Sequence, residues 1–142
     1  MYRAALFLSL LCAAAPAVAA DPGGATCVAP ADLSATPLAA WAGADATEFA
    51  VGKPVTLALE SGAASRTLTI ETAGRYGVAA GSKVWIDLNA NGTTQTSVEH
   101  GHGPACSGIR KVVWFDLKPG TYDLALSKGE TASVRVLVVR AP

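Results

Sequence analysis

His100 and His102 are the only histidines in this 142-residue chain, and they fall two apart in Glu99-His100-Gly101-His102. In an extended segment, residues i and i+2 point to the same side, so the two imidazoles can share one ion. Imidazole suits Cu(II) and Zn(II), which makes copper or zinc the metal to expect there. Two ligands do not complete a centre, because structural zinc takes four and catalytic zinc three plus water. Glu99 lies on the opposite face if the strand continues, and Asp116 reaches the pair only if the glycines bend the loop.

Asp87-Leu88-Asn89-Ala90-Asn91-Gly92 opens like a calcium loop, in which side-chain oxygens at alternate positions converge on a hard cation. The twelfth position should be a bidentate acid, but it is Val98, and Glu99 comes one place late. A hairpin turn accounts for the same residues, since Asn and Gly accept positive φ cheaply. Arg110-Lys111 beside Trp114, with Trp85 on an earlier strand, forms a third group. Cations next to an aromatic ring can grip an anion or a sugar. The plainer reading is an outward strand face of Arg110, Val112, Trp114 and Asp116, with Trp85 and Trp114 stacked on neighbouring strands. The chain contains neither a Gly-x-Ser-x-Gly elbow nor a phosphate-cradling glycine loop, so no residue is assigned a catalytic role.

Strands must position these groups. From Glu48 onward the apolar residues recur with a period of two. Val55, Leu57 and Leu59 follow Pro54, which is tolerated at a strand start. Leu68 and Ile70, then Tyr76 and Val78, then Val84, Ile86 and Leu88 continue the alternation. After the His/Gly/Pro loop come Val113, Phe115 and Leu117, a Lys118-Pro119-Gly120-Thr121 turn, then Tyr122, Leu124 and Leu126. The last run, Ala132 to Val139, carries Val134, Val136 and Val138 on one face. Leu137 and Val139 on the other face predict a central or covered strand. Seven or eight short antiparallel strands and no convincing helix imply an all-β domain, a single β-sandwich or jelly-roll-like barrel.

The N-terminus reads as a signal peptide over 1–20. It has Arg3 at the start, an apolar run to Ala15, and small residues through Ala19 and Ala20 where cleavage is expected. Residues 21–47, rich in Ala, Pro and Gly, predict an irregular arm, with Leu33, Leu38 and Trp41 spaced for a helical turn or for an arm over the core edge. Residues 48–142 form the sandwich. No second apolar run of about 18 residues follows, so no transmembrane segment is expected. Beyond residue 20 two cysteines remain, Cys27 and Cys106. In a periplasmic or secreted protein they read first as one disulfide, and otherwise as two buried thiols. Without Arg3 the charges stand at 10 basic to 11 acidic, scattered along the chain, which offers no footprint for nucleic acid.

The run HGHGPACSGIRKVVWFDLKPGTY, with Trp85-Ile86-Asp87 ahead of it and CVAPADL near the N-terminus, resembles a set of short secreted proteins with a HGHGP-C-GIRK core. Some of these carry the name homogentisate 1,2-dioxygenase. The name implies a metal-dependent oxygenase. An iron triad wants two histidines and a carboxylate on one metal. The cupin pattern resembles His-x-His with a Glu four or five residues later and a distant third histidine. Here Gly103, Pro104, Ala105 and Cys106 follow His102, and a third histidine is lacking. The activity therefore does not carry over residue by residue. The run from Pro119 to Leu126 is similar to the closing hairpin of pre-peptidase C-terminal-type sandwiches, which implies the same fold class.

These readings converge on an exported binding or accessory module, with no cofactor, for a small molecule, glycan or protein. The alternative is a copper or zinc protein, or a small oxygenase, using His100 and His102. A homodimer through a strand edge or the tryptophan face is a further expectation.

Overall fold

A computed structural model describes residues 26–142, so the expected signal peptide and its cleavage point lie outside the described residues. The strands are β1 (Val55–Ala58), β2 (Ala64–Ile70), β3 (Gly74–Ala80), β4 (Trp85–Ala90), β5 (Thr93–Thr94), β6 (Glu99–Gly101), β7 (Lys111–Leu117), β8 (Gly120–Ser127) and β9 (Ser133–Arg140). They make two antiparallel sheets, in the order β1-β9-β3-β7-β6 and β2-β8-β4-β5. The β-sandwich expected from the alternation is the observed architecture.

Among the described residues the strands number nine, because the polar return after Asn91-Gly92 divides. β5 pairs with β4 at two positions only, and β6 pairs with β7 in the other sheet. Thr93 to Ser97 offers no apolar side chain at alternate positions to hold it against the four-stranded sheet. The segment therefore leaves after the Gln95 N–H bonds to the Leu88 carbonyl at 2.7 Å. The Lys118-Pro119-Gly120-Thr121 turn also differs from a hairpin. It carries the chain from β7 in one sheet to β8 in the other, and the Tyr122 hydroxyl braces it by donating to the Lys118 carbonyl at 2.9 Å.

The main core lies between the sheets. Leu68, Leu88 and Leu124 meet Val78, Phe115, Val136 and Val138, all but fully buried. A second core lies on the outer face of the five-stranded sheet, where Leu137 and Val139 of β9 and Ala79 of β3 would otherwise meet water. Leu33, Leu38 and Trp41 cover them, so the arm is a folded layer over a sheet face. Among the described residues its helical content is one 3-10 turn, Ala39–Ala42. Thr36 braces the chain just ahead of that turn, its hydroxyl donating to the Leu33 carbonyl and accepting the Leu38 N–H.

The arm is held at several points. Cys27 and Cys106 form the disulfide, with Cα atoms 5.5 Å apart, and the Ala31 N–H donates to the Cys106 carbonyl at 2.9 Å. Arg135, which shares the outer face of β9 with Leu137, places its guanidinium 5.3 Å from the centre of the Trp41 ring. The same group donates to the Trp41 and Gly43 carbonyls and pairs with Asp45 at 3.3 Å. Beside this layer Trp114 lies flat on Gly77, where a Cβ would come within 2.8 Å of the indole.

Two outcomes are expected. Replacing both cysteines by serine releases a loop worth about 4.5 kcal/mol at most in closure entropy, so denaturant unfolding should show a loss of about 2–4.5 kcal/mol. Trp41→Ala removes a buried indole from the second core and should cost about 3–5 kcal/mol by the same assay. A loss below about 1 kcal/mol would show that the arm does not stabilise the sandwich.

Candidate functional site

The sandwich stays open along one side. Trp85 to Asn89 of β4 pair with β8 on one edge, while β5 reaches only Asn89 and Ala90 on the other. Across the gap, β6 spans three residues. Between these two edges lies a hollow of about 240 Å³ lined by Trp85, Ile86, Asp87, Gln95, Ser97, His100, Lys111, Val113 and Phe115. A second hollow of about 260 Å³ is lined by Lys83, His100, Gly101, His102, Arg110 and Lys111. Shared walls at His100 and Lys111 make the two one groove, with an apolar end and a cationic end.

The strand geometry explains who faces in. Lys111 alternates with Val113 and Phe115, so it points between the sheets at the mouth of the sandwich. It is half-buried, and its ammonium donates to the Val84 carbonyl at 2.9 Å. The same Nζ lies 5.9 Å from the Trp85 ring centre, and Lys128 Nζ lies 5.0 Å from it. Trp85 is 54% exposed, with its indole N–H donated to Asp87 at 3.2 Å. At the cationic end, Lys83 pairs with Glu130 at 2.7 Å, and this contact holds the Glu130 carboxyl below its usual range. The register of Ala80 against Lys111, with the Arg110 N–H on the Ala80 carbonyl, sets Arg110 beside the β3–β4 connection that carries Lys83.

Both histidines are exposed and line the same hollow, as their spacing in extended chain requires. His102 Nδ1 donates to the Arg110 carbonyl at 3.2 Å, which leaves Nε2 as its other polar atom. The carboxylates considered as further ligands are turned elsewhere. Arg75 draws Asp116 to 3.0 Å and Glu99 to 3.8 Å, and the Asp116 contact raises the affinity of the Arg75 guanidinium for its proton. Cys106 is committed to sulfur. Among the described residues, no group of three or more His, Cys, Asp or Glu comes together that could hold a metal ion.

The aromatic group expected from Arg110, Trp114 and Trp85 comes apart. Trp85 and Trp114 sit in different sheets and do not stack. Trp114 packs on Gly77 beside the second core, while Trp85 and Arg110 stay at the two ends of the groove. The cations that Trp85 does gather are Lys111 and Lys128. Period-two counting back from Phe115 could have found Lys111. Lys128 depends on the pairing of Ser127 with Trp85, which links distant strands. The calcium-like run is a hairpin turn with Asn91 at φ 51° and Gly92 at φ 76°. Two of its residues are separately engaged: Asn89 accepts the Thr94 hydroxyl at 2.7 Å and Asp87 the Trp85 indole.

A third hollow, of about 390 Å³, lies among Phe49, Thr67, Thr69, Glu71, Tyr76 and Arg140. There the Tyr76 hydroxyl and the Arg140 guanidinium are spent on the Thr72 and Ala73 carbonyls. Among the described residues, no helix is long and apolar enough to cross a membrane. No protein-family model matches the chain, and no curated protein matches it.

The three tryptophans differ in access, since Trp41 is 8% exposed and Trp114 half-buried against Trp85 at 54%. Acrylamide should therefore quench mainly Trp85, and Trp85→Phe should remove most of the quenchable emission. Equal quenching of the remaining pair would show that the arm does not cover its face.

Proposed function

We propose that this chain is an exported binding or accessory module, working in the periplasm or outside the cell, that takes its ligand in the groove between β4 and β6–β7. The observation that carries this reading is the unclosed edge of the sandwich. An exposed tryptophan stands there beside buried Ile86, Val113 and Phe115, next to a cluster of polar groups. Ligand sites combine an apolar lining with a few convergent polar groups in this way. The disulfide supports an oxidising compartment.

Binding is favoured over catalysis because neither imidazole is hydrogen-bonded to a hydroxyl or thiol that it could activate, among the described residues. A copper or zinc centre at His100 and His102 is disfavoured by charge. The hollow that they line brings three cationic side chains and no carboxylate to the ion.

The reading is tested by amide NMR of the disulfide-bonded protein titrated with a general set of small-molecule fragments. Shifts should concentrate at Trp85, Gln95, Ser97, His100, Lys111 and Val113. Shifts confined to the hollow at Thr67, Thr69 and Arg140, or no shifts at all, would overturn it. Elemental analysis of the same material should find no stoichiometric copper or zinc. A metal lost on changing both histidines to alanine would move the function to that pair.

A further inference from the structure

We infer that the groove recognises small carboxylates whose acid group is joined to a flat apolar body, an inference that rests on the groove being the binding site. The cationic end is a local feature. The whole chain carries equal numbers of basic and acidic residues, yet Lys83, Arg110 and Lys111 converge on one hollow with two imidazoles and no lining carboxylate. Glu130, the acid that answers Lys83, does so as an exposed pair with both side chains about two-thirds accessible. Such a pair contributes only about 0–1 kcal/mol, so a ligand carboxylate can replace Glu130 on the ammonium at little cost. Arg110 can meet the same carboxylate through two parallel N–H donors.

The other half of the ligand is set by the adjoining hollow. Ile86, Val113 and Phe115 reach its floor, and Trp85 stands at its side. Asp87, its one lining carboxylate, accepts the Trp85 indole N–H and so directs the ligand's acid group to the other hollow. At about 240 Å³ it has the volume of roughly eight water molecules, enough for one aromatic ring with a short chain. Lys111 joins the two hollows, so acid and ring must be covalently linked to use both. A bare inorganic anion would leave the apolar end empty. A neutral sugar would leave the cations unanswered, and a divalent metal would meet them as like charges.

The test compares cinnamate with cinnamamide, which has the same shape without the charge, and with inorganic phosphate. Each is titrated into the disulfide-bonded protein at neutral pH and followed by amide NMR. Cinnamate should shift Trp85 and His102 together and bind at least about tenfold tighter than cinnamamide, the effect of one good charge-assisted contact. Arg110→Gln, an exposed change, should weaken cinnamate by about tenfold and leave cinnamamide unchanged. Raising sodium chloride from about 20 mM to about 500 mM should weaken cinnamate several-fold by screening.

Cinnamamide binding in the groove as tightly as cinnamate would overturn the carboxylate inference and leave the groove standing as a site. Phosphate binding as tightly as cinnamate would reduce the site to a bare anion hollow and also overturn it. Cinnamate that shifts neither end of the groove would overturn it as well, and the general fragment set then decides separately whether the groove binds anything.

Discussion

Strand β9 is apolar on both faces, and most of this molecule follows from that constraint. Val134, Val136 and Val138 fill the space between the sheets, while Leu137 and Val139 face outward from an interior strand of a five-stranded sheet. A sandwich of two sheets buries only one face of each. The outward face therefore needs a cover, and the arm provides it. Leu33, Leu38 and Trp41 bury the exposed stripe, each side chain worth about 1.5–3 kcal/mol when fully buried.

A short arm with one 3-10 turn cannot hold itself there, and its attachments serve that need. Arg135 emerges through the same face and occupies Trp41 from below, with its charge taken up by two carbonyls and Asp45. Its buried Nε has no hydrogen-bond partner among the described residues, consistent with a side chain placed for stacking. The disulfide fixes the far end of the arm to the loop that follows the histidines. The cysteine of the His/Gly/Pro segment thus serves the cover, and the two imidazoles are left at the surface beside the open edge.

That edge follows from a second local fact, the polarity of Thr93 to Ser97. A strand without apolar alternation cannot complete the four-stranded sheet, so the chain crosses to the other sheet and leaves β4 unpaired beside Trp85. The crossing also delivers His100 and the start of β7 to the gap. Strand alternation then turns Lys111 inward with Val113 and Phe115, while Glu99 and Asp116 turn outward to Arg75. One alternation thus turns Glu99 and Asp116 to the far side of the sheet and Lys111 into the groove, where the lining carboxylate, Asp87, holds the Trp85 indole.

The sequence by itself determined the all-β class, the inward residues of nearly every strand, the Asn91-Gly92 turn and a central or covered β9, and it favoured one disulfide over two buried thiols. Each follows from period-two patterning, from backbone tolerance at Asn and Gly, or from cysteine number. Tertiary structure alone decided that Trp85 and Trp114 lie apart, that the Lys118–Thr121 turn crosses between sheets, that Lys83 lines the groove and that Lys128 lies over the Trp85 ring. Those facts rest on which strands become neighbours. Neighbour choice is settled by packing the two sheets as a whole, and alternation along one strand carries no information about it.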